Sequence, residues 1–115
     1  MSATLEIKKD IDCAVRTIDG EIDTIIKLKE GLDESLSKAL DVMQNAKGRI
    51  IITGMGKSGH IGKKIAASLA STGTPSFFVH PAEASHGDLG MITEDDVVVA
   101  ISNSGESKEL VDILN

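Results

Sequence analysis

Residues 50–67 read IIITGMGKSGHIGKKIAA, and this stretch decides the fold. Ile50-Ile51-Ile52 is a short β-branched run of the kind that forms a buried parallel strand. A glycine-rich turn follows, Gly54-Met55-Gly56-Lys57-Ser58-Gly59, and then Ile61, Ile65 and Leu69 recur four apart, a helical spacing. Strand, turn and helix together set backbone N–H groups, a lysine and a serine hydroxyl at a helix N-terminus, which suits a phosphate or another anion. The plainer alternative is a tight turn that uses glycine for backbone freedom alone.

Two better-known phosphate motifs fit less well. Gly54, Gly56 and Gly59 satisfy the dinucleotide pattern G-x-G-x-x-G. The next strand, however, ends Phe77-Phe78-Val79-His80-Pro81, without the acid that would hold a ribose. A Walker loop through Gly56-Lys57-Ser58 would need glycine at position 51, where Ile51 stands.

Downstream, Ser71-Thr72-Gly73-Thr74-Pro75 ends the helix and Ser76 to Val79 read as a second strand. The segment from His80 to Asp96 is loop-like or holds a short helix, and carries His80, Glu83, Ser85, His86 and Asp88. Val97-Val98-Val99-Ala100-Ile101 is the clearest strand. It runs into Ser102-Asn103-Ser104-Gly105-Glu106-Ser107 and a helical start from Lys108 to Asn115. The alternation βαβ(α)βα means a parallel sheet with right-handed crossovers. With a flavodoxin-like order the first and third strands are neighbours at the switch point, so the glycine turn and the serine loop face one crevice. A serine-rich helix start standing alone reads as a cap; two such loops together favour one phosphorylated ligand.

Upstream, Thr4 to Ala46 carry helical periodicity in Ile7, Ile11, Ile18, Ile22, Ile25, Leu28, Leu32 and Leu36. Gly31 is the expected break, Asp33 the cap of a second helix and Gly48 its end. Two readings of the stripe stand: part core cover and part subunit interface, or a purely intramolecular helical pair. Residues 1–47 thus form a helical segment and residues 48–115 a sheet domain.

A chain of 115 residues with 41% hydrophobic content builds one domain with a real core. The net charge of −6 argues against nucleic-acid and anionic-membrane partners, and two phenylalanines as the only aromatics leave nothing to stack on bases. Cys13 has no partner for an intrachain disulfide, which fits a reducing cytoplasm. Acids at Glu6 and Asp10 interrupt any signal-like start, and no apolar run approaches membrane length.

GMGKSGH, the HP-x-E-A-x-HGDLG segment and SNSGES, in this order, resemble the arabinose-5-phosphate isomerases. The match covers roughly Arg49 to Ile113. The resemblance implies a three-layer αβα sugar-isomerase (SIS) domain, a flavodoxin-like or Rossmann-like parallel sheet preceded by N-terminal helices. It also implies interconversion of D-ribulose 5-phosphate and D-arabinose 5-phosphate without a cofactor, in the supply of Kdo for lipopolysaccharide or capsule, and a cytoplasmic homotetramer. Lys57 and Glu109 match catalytically relevant positions. His80 and His86 match substrate-contacting histidines, and His80 also a site for inhibitory zinc. Gly73 and Thr74 match a substrate-contacting turn; Gly56 and Ser58 belong to the glycine turn. Ser102, Asn103, Ser104 and Ser107 match the phosphate-binding loop.

Aldose–ketose isomerisation moves a proton between adjacent carbons, and needs an acid/base, a charge beside the developing oxyanion and a phosphate clamp. Lys57 is expected to stabilise the oxyanion, Glu109 to act as or to position an acid/base, and His86 to shuttle protons. His60 is expected to be structural. The family continues through further strands and commonly adds CBS modules, so this chain looks like the N-terminal portion of such an enzyme, truncated at Asn115. A phosphosugar sensor of the same fold, which needs only the serine loops, is the competing reading.

Overall fold

The computed structural model describes residues 2–82 and 88–103. The chain divides into two compact units, Met1–Lys38 and Ala39–Asn115. The first is dominated by α1 (Ala3–Gly31), whose N-cap Ser2 accepts a hydrogen bond from the Leu5 N–H. α1 ends at Gly31, as its sequence predicts, and α2 (Glu34–Gln44) restarts the helix after a short break. Asp33 caps α2: its Oδ1 accepts from the Ser35 hydroxyl at 2.5 Å and from the Ser35 N–H at 2.9 Å, and these bonds, the hydroxyl's first, hold the Asp33 carboxyl below its ordinary range. No residue of α1 is buried within this chain; Ile7, Ile11, Val15, Ile18, Ile22 and Ile25 are all exposed.

The second unit is built on a three-stranded parallel sheet in the order β2-β1-β3. β1 is Ile50–Gly54, β2 is Ser76–Phe78 and β3 is Val97–Ile101. β1 lies in the centre and is buried throughout, because a run of isoleucines can be satisfied only with apolar cover on both faces. Ile50 and Ile52 point to one face with Ala66, Met43, Leu69, Phe78 and Val99; Ile51 points to the other with Val79, Phe77, Ile92 and Val98. The parallel sheet with helices, and the adjacency of the first and third strands, agree with the sequence reading.

α3 (Gly56–Ser71) is the helix that the spacing of Ile61, Ile65 and Leu69 predicts, but it does not pack through that row: Ile61 is 57% exposed and Ile65 37%. The buried residues are Gly59, Gly62 and Ala66. A Cβ on Gly62 would stand 3.0 Å from Ile52 Cγ2 and 3.1 Å from Phe78 Cε1, so the small residues let the helix lie directly on β1 and on the Phe78 ring. Closeness of approach, not hydropathy, selects the face.

The amino ends of β1 and β3 are tied by one ion pair. Asp96, its side chain only 1% exposed, accepts from the Arg49 N–H at 2.7 Å, from Arg49 Nη2 at 3.2 Å and from the Thr93 N–H at 2.9 Å. Arg49 also donates to the Met91 carbonyl and lies 4.6 Å from the Phe77 ring centroid. The Arg49 and Thr93 amides, then the guanidinium, hold the Asp96 carboxyl far below the usual carboxylate range. A depressed folded-state pKa stabilises the fold above the unfolded value near ~3.9, and that contribution fades as pH falls further. Asp96→Asn is expected to lower the Tm by roughly 5–10 °C at pH 7. In melts taken at decreasing pH, the gap to wild type should narrow below about pH 4.

Candidate functional site

The register that pairs Gly54 with Ile101 brings two loops out of the sheet side by side. From β1 emerges the glycine turn, from β3 the pair Ser102-Asn103, both at the carboxyl ends of adjacent parallel strands. A Cβ on Gly54 would lie 3.0 Å from the Ile101 carbonyl oxygen and 3.1 Å from the Ser58 carbonyl carbon, so this close approach tolerates no side chain. Gly56 opens α3 with φ +58°, a backbone conformation that glycine adopts without steric cost. The N-cap, Met55, makes no side-chain capping bond, which suits a helix start whose amides serve a ligand. Gly56 and Lys57 are exposed here and Ser58 is half-buried.

β2 supplies the other wall. Thr53, 1% exposed, donates its hydroxyl to the Val79 carbonyl at 2.5 Å, and the Val79 N–H donates to Ile52 at 2.9 Å. These bonds fix the chain direction into His80, which is half-buried ahead of the buried Pro81. His80 Nδ1 accepts from the Ala82 N–H at 3.1 Å, so in the neutral ring Nε2 carries the proton and is the donor. His80, Gly56, Gly59, His60, Lys63 and Phe78 line one cleft of about 270 Å³. Thr53→Val is expected to leave the Val79 carbonyl without its donor, destabilising the fold by about 1–2 kcal/mol and loosening His80. Chemical denaturation and the His80 ring resonances would read both effects.

Not every expected site residue meets here. Gly73 and Thr74 lie at the opposite end of the sheet, where the Ile50 N–H donates to Pro75. Gly73, with φ +99°, and Thr74 close the C-terminus of α3 by donating to Ala70 and Leu69. Thr74 and His80 are six residue steps apart along extended chain, on the order of 20 Å. Within one chain Gly73 and Thr74 thus stand at the end of the sheet away from the glycine turn. His86, Ser104, Ser107 and Glu109 lie outside the described residues.

The zinc expected at His80 finds no described partners: no group of three or more His, Cys, Asp or Glu side chains able to hold a metal occurs among the described residues. Nδ1 is already committed to Ala82, so binding through Nε2 would require the other tautomer. His60, expected to be structural, is exposed and lines the cleft together with His80. Lys63 was not anticipated either; its only sequence signal is its place three residues after His60, on the same side of the helix.

Comparison with known proteins sets this arrangement in a family. The chain is 60% identical over 104 residues to arabinose 5-phosphate isomerase KdsD of Pseudomonas aeruginosa, a match over 90% of this chain and 32% of that protein. It is 56% identical over 113 residues to KdsD of Francisella tularensis, covering 96% of this chain and 35% of that one. The chain therefore spans about a third of the length of these relatives. Its fold superimposes on the E. coli CFT073 protein c3406, solved in complex with arabinose 5-phosphate, with a TM-score of 0.87 and 41% identity, over 99% of this chain and 58% of that one. Residues 43–115 match the SIS domain, from the last turn of α2 through the sheet and both of its loops, and the chain belongs to the SIS domain family.

Proposed function

We propose that this chain belongs to an aldose–ketose isomerase that interconverts D-arabinose 5-phosphate and D-ribulose 5-phosphate. The observation that carries the reading is the pairing of Gly54 with Ile101, which brings the glycine turn and the Ser102 end of β3 out of the sheet side by side. The identity to two KdsD proteins supports the choice of substrate. The Ser102–Ser107 loop takes the phosphate. Lys57 stands beside the sugar's reacting carbons and stabilises negative charge as a proton passes between them through an enediolate. Glu109 acts as or positions the acid/base, and His86 moves protons between the sugar oxygens. No cofactor takes part.

The exposed α1 stripe supports a homo-oligomer, in our reading a tetramer. Gly73 and Thr74 then reach a substrate only from a neighbouring copy. No helix among the described residues is long and apolar enough to cross a membrane. A cytoplasmic enzyme that supplies Kdo for lipopolysaccharide or capsule, without nucleic-acid or membrane partners, is consistent with these features.

The test is an isomerase assay in both directions. It uses the 115-residue chain and a chimera that continues after Asn115 with the remainder of the Pseudomonas relative. Turnover of arabinose 5-phosphate in the chimera supports the proposal. Tight phosphosugar binding with no turnover, in a folded chimera, replaces the enzyme with a phosphosugar sensor.

A further inference from the structure

The cleft beside β2 has a wall to which no role has yet been given. His60 and Lys63 sit in the first two turns of α3, three residues apart and therefore on one side of the helix. His80, Phe78, Gly56 and Gly59 line the same cleft. Lys63 Nζ lies 5.5 Å from the centroid of the Phe78 ring. That contact is available because Gly62 leaves no side chain between the helix and Phe78, and it holds the lysine against the cleft. No carboxylate is among the described lining residues. In a chain of net charge −6, this concavity gathers one lysine and two imidazoles, a donor-bearing surface that fits an anionic or polyhydroxylated group.

Its position fixes which part of a ligand it would meet. β2 and β3 flank β1 on opposite sides, about 10 Å apart. A phosphosugar anchored on the β3 side by its phosphate therefore extends across the glycine turn and presents its hydroxyl-bearing end on the β2 side. We infer that Lys63 and His60 contact this end of the bound sugar phosphate and set its affinity, while Lys57, on the turn between the two sides, serves the reaction. The assignment rests on the phosphosugar reading above.

Steady-state kinetics and calorimetric binding of arabinose 5-phosphate test it in the intact protein, with Lys63→Met, Lys63→Arg, His60→Asn and Lys64→Met. Lys64 is exposed and does not line the cleft, so it serves as the control. Loss of one charge-assisted hydrogen bond predicts about a tenfold weaker Kd and a matching rise in KM for Lys63→Met, with kcat held within about threefold. Lys63→Arg should retain most of the affinity, and His60→Asn should show a smaller rise in KM. The thermal midpoint should stay unchanged in all four. A wild-type protein that binds the sugar phosphate, with Lys63→Met and His60→Asn both indistinguishable from Lys64→Met, overturns this assignment alone. A wild-type protein that binds no phosphosugar overturns the functional reading and this assignment with it.

Discussion

Gly59→Ala is expected to destabilise the protein by roughly 1–3 kcal/mol, although alanine is the better helix former. The reason is backbone against backbone: an added Cβ would stand 2.7 Å from the Gly54 carbonyl oxygen and 3.5 Å from the Phe78 ring. Neither the strand end nor the first turn of α3 can yield by rotating a side chain. The helix has to lift from β1 at the point where the glycine turn is shaped. Gly20 gives the opposite expectation. It lies within α1, with nothing within 4 Å of an added Cβ, and a step of two residues turns it away from the Ile18 and Ile22 side of the helix. Gly20→Ala should stabilise by roughly 0.5–1 kcal/mol. Denaturant titration of both variants compares the signs directly. A Gly59→Ala protein as stable as wild type would mean that α3 does not pack on β1 as described.

Lys57→Ala carries the largest expected effect on activity, a fall in kcat of about 10²–10³-fold, the scale for losing one group that stabilises a developing oxyanion. Lys57 is exposed, in the first turn of α3, so its removal disturbs no packing and the thermal midpoint should hold. Its effect should fall on kcat, in contrast with Lys63 in the next turn, whose effect should fall on KM. A Lys57→Ala protein with unchanged kcat and weakened phosphosugar binding would return the lysine to a purely phosphate-binding role.

The parts of this fold that were legible in the sequence are those with a local physical cause. Ile50-Ile51-Ile52 can be satisfied only inside a sheet; Gly31 and Asp33 mark a helix break and a cap; Val97 to Ile101 have no amphipathic alternative. The face of α3 was not legible, because hydropathy ranks Ile61 and Ile65 above Gly59 and Gly62. The sheet selects the glycines for a different reason, the room they leave for Phe78 and Ile52. The ion pair of Arg49 with Asp96 joins positions 47 residues apart, a contact that no local pattern encodes.

The candidate site divides in the same way. The glycine turn and Ser102 could be placed on neighbouring strand ends once the strand order was assumed, and β2-β1-β3 is that order. The cleft that His60 and Lys63 line together with His80 depends on how closely α3 approaches β2, which spacing alone does not state. Nor does spacing show that Gly73 and Thr74 fall at the far end of the sheet. That follows only from the parallel direction of β2, which begins beside the amino end of β1.

The central claim is that one phosphosugar engages both loops. Amide chemical shifts measured by NMR during titration with arabinose 5-phosphate test it most directly. Resonances of Gly56, Lys57 and Ser58 should move together with those of Ser102 and Asn103, along a single binding curve. Unphosphorylated arabinose should leave the Ser102 loop unmoved. Shifts confined to one loop, or two loops titrating with different affinities, would contradict a shared crevice and the isomerase reading built on it.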